Sequence, residues 1–383
     1  MGHIRRCRTI AHALAEAFPK LKVLIVSGSP IIGSFDFKAR VDFVRVPGII
    51  KLRNGDYVPL GDHGSIEETT ALRSSLITDT AVRFAPDVFI VDKEPLGLRG
   101  ELEGTLETLK RRGTRLVLGL RDVLDEPRAL KQEWQRKHAL PALEALYDDI
   151  WVYGLKAIFD PLQGLGLSED VAQRTNFTGY LKRTRPAAPP TAVVGDIGQR
   201  LLITPGGGGD GEVLIDWVVS AYELDPGVLP PGFIMFGPFM RAEARAAFER
   251  RAAAISSLRV LTFEPRMEHL LAECKAAATM GGYNTFCEVL SFDRRALIVP
   301  RHTSRLEQTI RAEAAERLGL ARMLREPDED AKGEAETMLK ALASLPEQPP
   351  PSLRATPGLL DGLAKVVTSC GRWLGRDPVA SHT

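Results

Sequence analysis

The most constraining feature of this chain is its rhythm. Short apolar runs alternate with stretches of helical period, first within residues 22–153 and again within 200–318. In the first stretch the strand-like runs are 22–26, 41–46, 87–91, 115–119 and 149–153, with helical patterns at 66–84, 101–111 and 128–138. Alternation of this kind predicts mostly parallel, doubly wound sheets, because a right-handed crossover carries each helix back over the sheet. A proline-bearing stretch with Pro186, Pro189 and Pro190 follows, and then the rhythm restarts. Strands are expected at 200–204, 233–236, 259–263, 276–279 and 296–299. Helices are expected at 212–222, 241–254, 266–272, 285–291 and 307–318.

The expectation is therefore an α/β protein with two doubly wound, Rossmann-like domains facing a cleft. The domain plan is 1–185, a linker at 186–198, a second domain at 199–345, and a C-terminal crossing segment and helix at 346–375 that packs back on the first domain. A further helix is expected at 330–343. The halves share no close sequence repeat, so their likeness is architectural. The chain opens on a helical pattern with Ile10, Leu14 and Phe18 on one face, ahead of any strand. An α/β domain ordinarily places a strand there, so the first strand of the N-terminal sheet is expected to be missing. Residues 47–64 read as a long polar loop.

Composition narrows the function classes. With 383 residues the chain has room for two domains, and 44% hydrophobic with 26% charged residues is ordinary for a soluble globular protein. A net charge of +1 argues against a dedicated nucleic-acid binder. The four cysteines (Cys7, Cys274, Cys287, Cys370) are widely spaced and the seven histidines form no metal-spaced cluster, so no metal is expected. The sequence carries neither a signal-peptide pattern nor an apolar run of membrane-spanning length, and a cytoplasmic location follows as an expectation. Pro47-Gly48-Ile49-Ile50 beside Lys51 and Arg53 admits peripheral membrane contact, but a loop clasping the core is preferred.

Glycines mark the candidate site. Five of the six residues Gly206-Gly207-Gly208-Gly209-Asp210-Gly211 are glycine, between a strand and a helix start. That is more than a tight turn needs, and it leaves backbone N–H groups open to an anion. Gly281-Gly282 repeats the arrangement after 276–279, followed by Asn284, Thr285 and Glu288. Two readings of that stretch stand side by side. Glycines at a helix start suit a phosphate, with Glu288 one turn in and able to accept from ribose hydroxyls. Equally, Thr285-x-x-Glu288 is a capping box. Both glycine loops follow strands of one sheet, and ligands of open α/β sheets bind beyond the carboxyl ends of the strands. Phe263 and Glu264 sit at another strand end, where backbone groups can read a base and Met267 can pack on it. Gln308, in a helix first turn, carries donors and acceptors suited to sugar hydroxyls. His3, beside Gly2 at a helix start, is the general-base candidate, with Asp92, Glu94 and Asp122 as alternative acids or bases. Arg5 and Arg6 either meet an anionic substrate or are solvated.

Taken in order, these pieces resemble the donor-binding domain of the GT-B glycosyltransferases, close to the family of the lipid II N-acetylglucosaminyltransferase MurG. The likeness covers roughly residues 200–320, through Gly206 to Gly211, Phe263-Glu264-Pro265-Arg266-Met267, Gly281 to Glu288, Ala296-Leu297-Ile298-Val299-Pro300 and Glu307-Gln308-Thr309-Ile310-Arg311-Ala312. In the first half only Gly2-His3 takes part. The resemblance implies sugar transfer from a nucleotide-diphosphate donor, a UDP-sugar, to a hydroxyl acceptor, without a metal or other cofactor. It implies Glu288 on the ribose, and Gly207, Gly208, Gly209, Gly281, Gly282, Asn284 and Thr285 at the diphosphate. Phe263 and Glu264 would meet the base, Gln308 the donor sugar, and His3 the acceptor proton. A nucleotide-sugar epimerase or hydrolase, and a non-catalytic nucleotide-sugar binder, are the rival readings.

Overall fold

The computed structural model describes residues 2–51, 56–61, 64–191, 195–207, 209–301, 305–325, 335–354 and 356–379. The chain divides into two compact units, Met1–Leu181 with Asp361–Thr383, and Lys182–Leu360.

The first unit opens on α1 (Gly2–Ala17), which buries Ile4, Ile10, Leu14 and Ala15 on one face. Then come β1 (Val23–Ser27) and β2 (Val41–Arg45), a parallel pair. Residues 47–64 are not simply a loop. They carry an antiparallel hairpin of β3 (Ile49–Lys51) and β4 (Tyr57–Pro59), whose three-residue strands are too short to show a period. Arg53 lies outside the described residues. Next are α2 (Ile66–Phe84), β5 (Val88–Asp92), α3 (Glu103–Arg111), β6 (Arg115–Arg121), α4 (Pro127–Arg136), α5 (Ala139–Ala145), β7 (Asp149–Tyr153), α6 (Glu169–Gln173) and β8 (Thr175–Phe177). Strands β5-β6-β7-β8 form a parallel sheet whose inner residues, among them Leu116, Leu118, Leu120, Ile150 and Val152, make one core with Leu106, Leu109 and Trp134. The β1–β2 pair has its own small core, in which Ile25 and Val41 meet Ile4, Ala11 and Ala15 of α1. Among the described residues, β1 and β5 each pair on one side only.

The second unit is more regular. It runs β9 (Leu201–Thr204), α7 (Glu212–Leu224), β10 (Gly232–Met235), α8 (Ala242–Ala253), β11 (Leu258–Leu261), α9 (Met267–Glu273), β12 (Ala276–Thr279), α10 (Tyr283–Ser291), β13 (Ala296–Ile298), α11 (Glu307–Arg317), β14 (Arg322–Met323) and α12 (Ala335–Ser344). The start of the helix expected at 330–343 lies outside the described residues. All six strands are parallel, in the order β11-β10-β9-β12-β13-β14. The strand direction of travel reverses between β9 and β12, which is the switch point where open sheets bind ligands. Within the expected linker, residues 188–191 are bonded to the second unit. His269 meets the Ala188 carbonyl through Nε2 at 2.9 Å, Arg266 donates to the Pro189 carbonyl at 3.0 Å, and Thr191 donates to Glu264. The chain finally returns to the first unit as α13 (Gly362–Leu374), where Trp373 stacks on Trp151 with ring centroids 5.7 Å apart. No described helix is long and apolar enough to cross a membrane.

Candidate active site

The residues singled out in the sequence fall into two groups, one in each unit.

In the first unit, α1 begins at Gly2, so His3 is part of an ordered helix and not of a frayed terminus. Its Nδ1 lies 2.5 Å from Oδ2 of Asp92, the last residue of β5. Arg6, one turn along α1 and only 1% exposed, grips the same carboxylate with two bonds, Nε to Oδ1 at 2.7 Å and Nη2 to Oδ2 at 2.6 Å. The expectation that Arg6 meets substrate or solvent is therefore corrected: it is an internal clamp. Burial pushes the Asp92 carboxyl upward, but Arg6 and then His3 overrule it and hold the group well below the usual carboxylate range. Asp92 is thus ionised and is no general acid. Desolvation on the packed side of the His3 ring lowers the imidazole pKa, Asp92 opposes, and Arg6 and Lys93 add to the lowering. The other side is open, with 59% of the side chain exposed. At neutral pH the ring is then neutral, and the carboxylate assigns the proton to Nδ1 and leaves Nε2 as the acceptor. The next residue, Lys93, has φ +76°, a left-handed conformation that is costly for a side-chain-bearing residue and turns the chain directly after Asp92.

The other acids are committed elsewhere. Glu94 is held by Lys93 at 3.0 Å and Lys137 at 2.9 Å; burial works against ionisation, yet the two lysines bring its pKa down to about 2. Asp122 is fully buried and accepts from the Tyr180 hydroxyl at 2.8 Å.

In the second unit the two glycine turns lie side by side, because β9 and β12 are hydrogen-bonded neighbours. A Cβ placed on Gly206 would lie 3.8 Å from Oγ1 of Thr285, so the first turn meets the start of α10. Gly281 has φ +73°, and a Cβ there would strike Ile298 at 2.6 Å; only glycine fits. Gly282 is different. A Cβ there meets nothing within 4 Å, so open space lies in front of it. Fully buried Arg311 of α11 donates to the Gly281 carbonyl at 2.9 Å and sits 5.9 Å from the Tyr283 ring, holding the turn from behind.

Gly282 is the N-cap of α10 and, as a glycine, brings no side chain of its own to cap the helix. The capping box of Thr285 with Glu288 does not form, because Thr285 is already inside the helix. The first turn of a helix carries a partial positive charge. Glu288 is fully enclosed, at 0% exposure, and Thr285 is at 4%. Gly207 accepts from Phe239 N at 3.0 Å, Gly209 is exposed, and Gly208 lies outside the described residues.

Three further candidates sit around this centre. Arg301 ties the first glycine loop to α11 by pairing with Asp210 at 2.5 Å and with Glu307 at 2.8 Å. Its backbone N–H donates to Oε1 of Gln308 at 3.2 Å, which fixes the amide of that side chain. Phe263 is half-buried beside Glu264. The Glu264 side chain is occupied: it accepts from Thr191 N and Oγ1 at 2.9 and 2.6 Å and from Arg266 N at 2.9 Å. Only its backbone is left to meet a base. Met267, expected to pack on that base, is 6% exposed and belongs to the interior. Among the described residues, no three His, Cys, Asp or Glu side chains are grouped to hold a metal ion.

No protein-family model matches this chain, and no curated protein matches it. Solved structures do. The glycotransferase of kitacinnamycin is 13% identical, with a TM-score of 0.60 over 96% of this chain and 95% of the other. MurG of Acinetobacter baumannii is 13% identical, with a TM-score of 0.55 over 97% and 96%. A putative UDP-N-acetylglucosamine 2-epimerase from Listeria monocytogenes is 12% identical, with a TM-score of 0.63 over 99% and 97%. Identities this low establish the fold alone: this chain has the GT-B fold of two Rossmann-like domains.

Proposed function

We infer that the protein transfers a glycosyl group from a nucleotide-diphosphate sugar, a UDP-sugar in the first instance, to a hydroxyl acceptor. The observation that carries this reading is the pair of glycine turns after β9 and β12, at the switch point of a GT-B fold, in front of a helix whose N-cap is Gly282. Such a place favours a diphosphate, both as a bound group and as a leaving group whose charge grows during the reaction.

His3 Nε2 takes the proton of the acceptor hydroxyl while that oxygen bonds to the anomeric carbon and the bond from this carbon to the diphosphate oxygen breaks. Asp92 holds Nδ1–H and stabilises the imidazolium that results. The amides at the start of α10 take up the charge of the departing diphosphate, so the reading calls on no metal. Gln308, its Oε1 fixed by Arg301, turns its NH2 toward the sugar hydroxyls. Glu288 is the ribose ligand, and because it is enclosed, the side chains over it must part when nucleotide binds.

The likeness to the Listeria protein favours a second reading, epimerisation of the same class of donor. Incubating the protein with a panel of UDP-sugars, with and without hydroxyl acceptors, separates the two. Transfer predicts UDP and a new glycoside that appear only with acceptor. An isomerised UDP-sugar formed without acceptor would replace transfer by epimerisation, and no turnover with any donor would remove both.

A further inference from the structure

Arg6 is among the largest fully buried side chains of the protein, at 1% exposure, although an arginine is rarely enclosed. It stands three residues after His3, on the same face of α1, and both reach the Asp92 carboxylate at the end of β5. The three bonds are not independent. Arg6 takes Oδ1 through Nε at 2.7 Å. Oδ2 is shared: Arg6 Nη2 lies 2.6 Å from it and His3 Nδ1 lies 2.5 Å from it. A planar fork held at both oxygens fixes the plane of the carboxylate, and with it the direction from which the imidazole is met.

The surroundings single out this arginine. Asp92 pairs in register with Gly119 of β6, where a Cβ would overlap the hydroxyl of Tyr153 from β7. The missing side chain lets the phenol reach across β6 toward Asp92. The groups facing the carboxylate are then His3, Arg6 and Cys7 of α1, Lys93 beside it in the chain, and Tyr153. Burial raises the Cys7 thiol and the Tyr153 phenol, and raises Cys370 of α13, behind Tyr153, to about 12, so all three stay neutral. Lys93 is engaged by Glu94 at 3.0 Å. Among the described residues, Arg6 is the cation bonded to Asp92. Without it, an enclosed carboxylate either takes up a proton or draws one onto His3. A protonated Asp92 would donate to Nδ1 and move the ring proton to Nε2; a charged ring would carry both protons. Each route closes Nε2.

We propose that Arg6 is a positioning residue for the His3 base: it fixes the carboxylate that orients the imidazole and, by sharing Oδ2, balances its charge so that Nε2 stays open to the acceptor proton. The assignment rests on the proposed transfer to a hydroxyl acceptor and adds to it the side chain that sets the state of the base. Arg6 acts through Asp92 and touches no reacting atom.

The test reads His3 directly. NMR follows the imidazole nitrogens of the full chain across the pH range in the native protein, Arg6→Gln and Arg6→Lys, with His3→Ala identifying the signal among seven histidines. The rate of sugar transfer is measured beside it. The native ring is expected to be neutral, protonated at Nδ1, and to titrate below 6.5. In Arg6→Gln the midpoint of the His3–Asp92 pair should rise by roughly one pH unit or more, and kcat at neutral pH should fall about tenfold or more. Arg6→Lys keeps the charge and loses the fork, so its midpoint should stay low while kcat falls. A native midpoint and tautomer in Arg6→Gln would overturn the assignment whatever happens to the melting temperature, because a purely structural clamp leaves the titration of the folded site alone. If Arg6→Gln does not fold, Arg6→Lys decides, and native kcat there would overturn the positioning role. A midpoint that moves as expected in a protein that transfers no sugar would keep the control of His3 by Arg6 and defeat the transfer reading.

Discussion

At the scale of single residues, the first unit's site is an imidazole whose proton position is set by a clamped carboxylate. Asp92 is held by Arg6 through two bonds and by His3 through a third, so its charge is fixed before any substrate arrives. His3→Ala should lower kcat by roughly 100-fold or more with little change in donor KM, because a general base acts on the transition state. Asp92→Asn should lower kcat as well, since an amide neither fixes the tautomer nor stabilises the imidazolium. The pH profile carries the sign of the shift. The His3 pKa lies below its ordinary value of 6.5, and under the proposed base role the neutral ring is the active form. The rate should therefore hold from about pH 8 down past that value and fall only below it. A half-maximal rate above pH 7 would contradict the assignment. The sequence showed the parts but not the joint. His3 and Asp92 are 89 positions apart, and no local pattern says that a helix start and a strand end meet.

At the scale of elements, the decisive piece is the turn between β12 and α10, and its two glycines do different work. Gly281→Ala must adopt a left-handed φ and displace Ile298, so it should destabilise the fold by about 1–3 kcal/mol. Gly282 has an ordinary φ of −57° and free space, so Gly282→Ala should fold normally while its methyl group blocks the approach of a ligand. Denaturant melts of both variants beside nucleotide titrations check this. The contrast fails if Gly281→Ala leaves stability untouched or Gly282→Ala binds nucleotide normally. These long, periodic elements were readable because apolar spacing and glycine placement agree. Several of the shortest strands were not. The hairpin of β3 and β4, and the edge strands β8 and β14, have two or three residues each, too few to display alternation. The Thr285-x-x-Glu288 pattern misled for a related reason: a capping box depends on where the helix begins, and α10 begins two residues earlier, at Tyr283.

At the scale of the whole molecule, the chain crosses back to complete the unit it started. α13 brings Trp373 flat onto Trp151 of β7, the planes 2° apart, and Arg115 lies over the Trp373 ring at 5.4 Å. Gly362 sits against the backbone of Gly179 and Tyr180, where a Cβ would clash at 2.5 Å. Trp373→Ala should therefore cost the first unit about 2 kcal/mol or more and leave the second unit's unfolding unchanged. Differential scanning calorimetry reads this as the shift of one transition; equal shifts of two transitions would contradict it. The two-unit plan was legible because the β–α rhythm stops at the prolines and restarts. The division at Leu181 and Lys182 was less so, since only folded contacts show that the proline-rich run is strapped to α9 and Glu264.

The central claim is that the switch point of the second unit's sheet holds the diphosphate of a nucleotide. Calorimetric titration of the full chain with UDP, beside Gly282→Ala, tests it most directly. The account predicts saturable binding of one UDP per chain, lost in Gly282→Ala at unchanged melting temperature. Absence of UDP binding by the native protein, or full binding by Gly282→Ala, would contradict it.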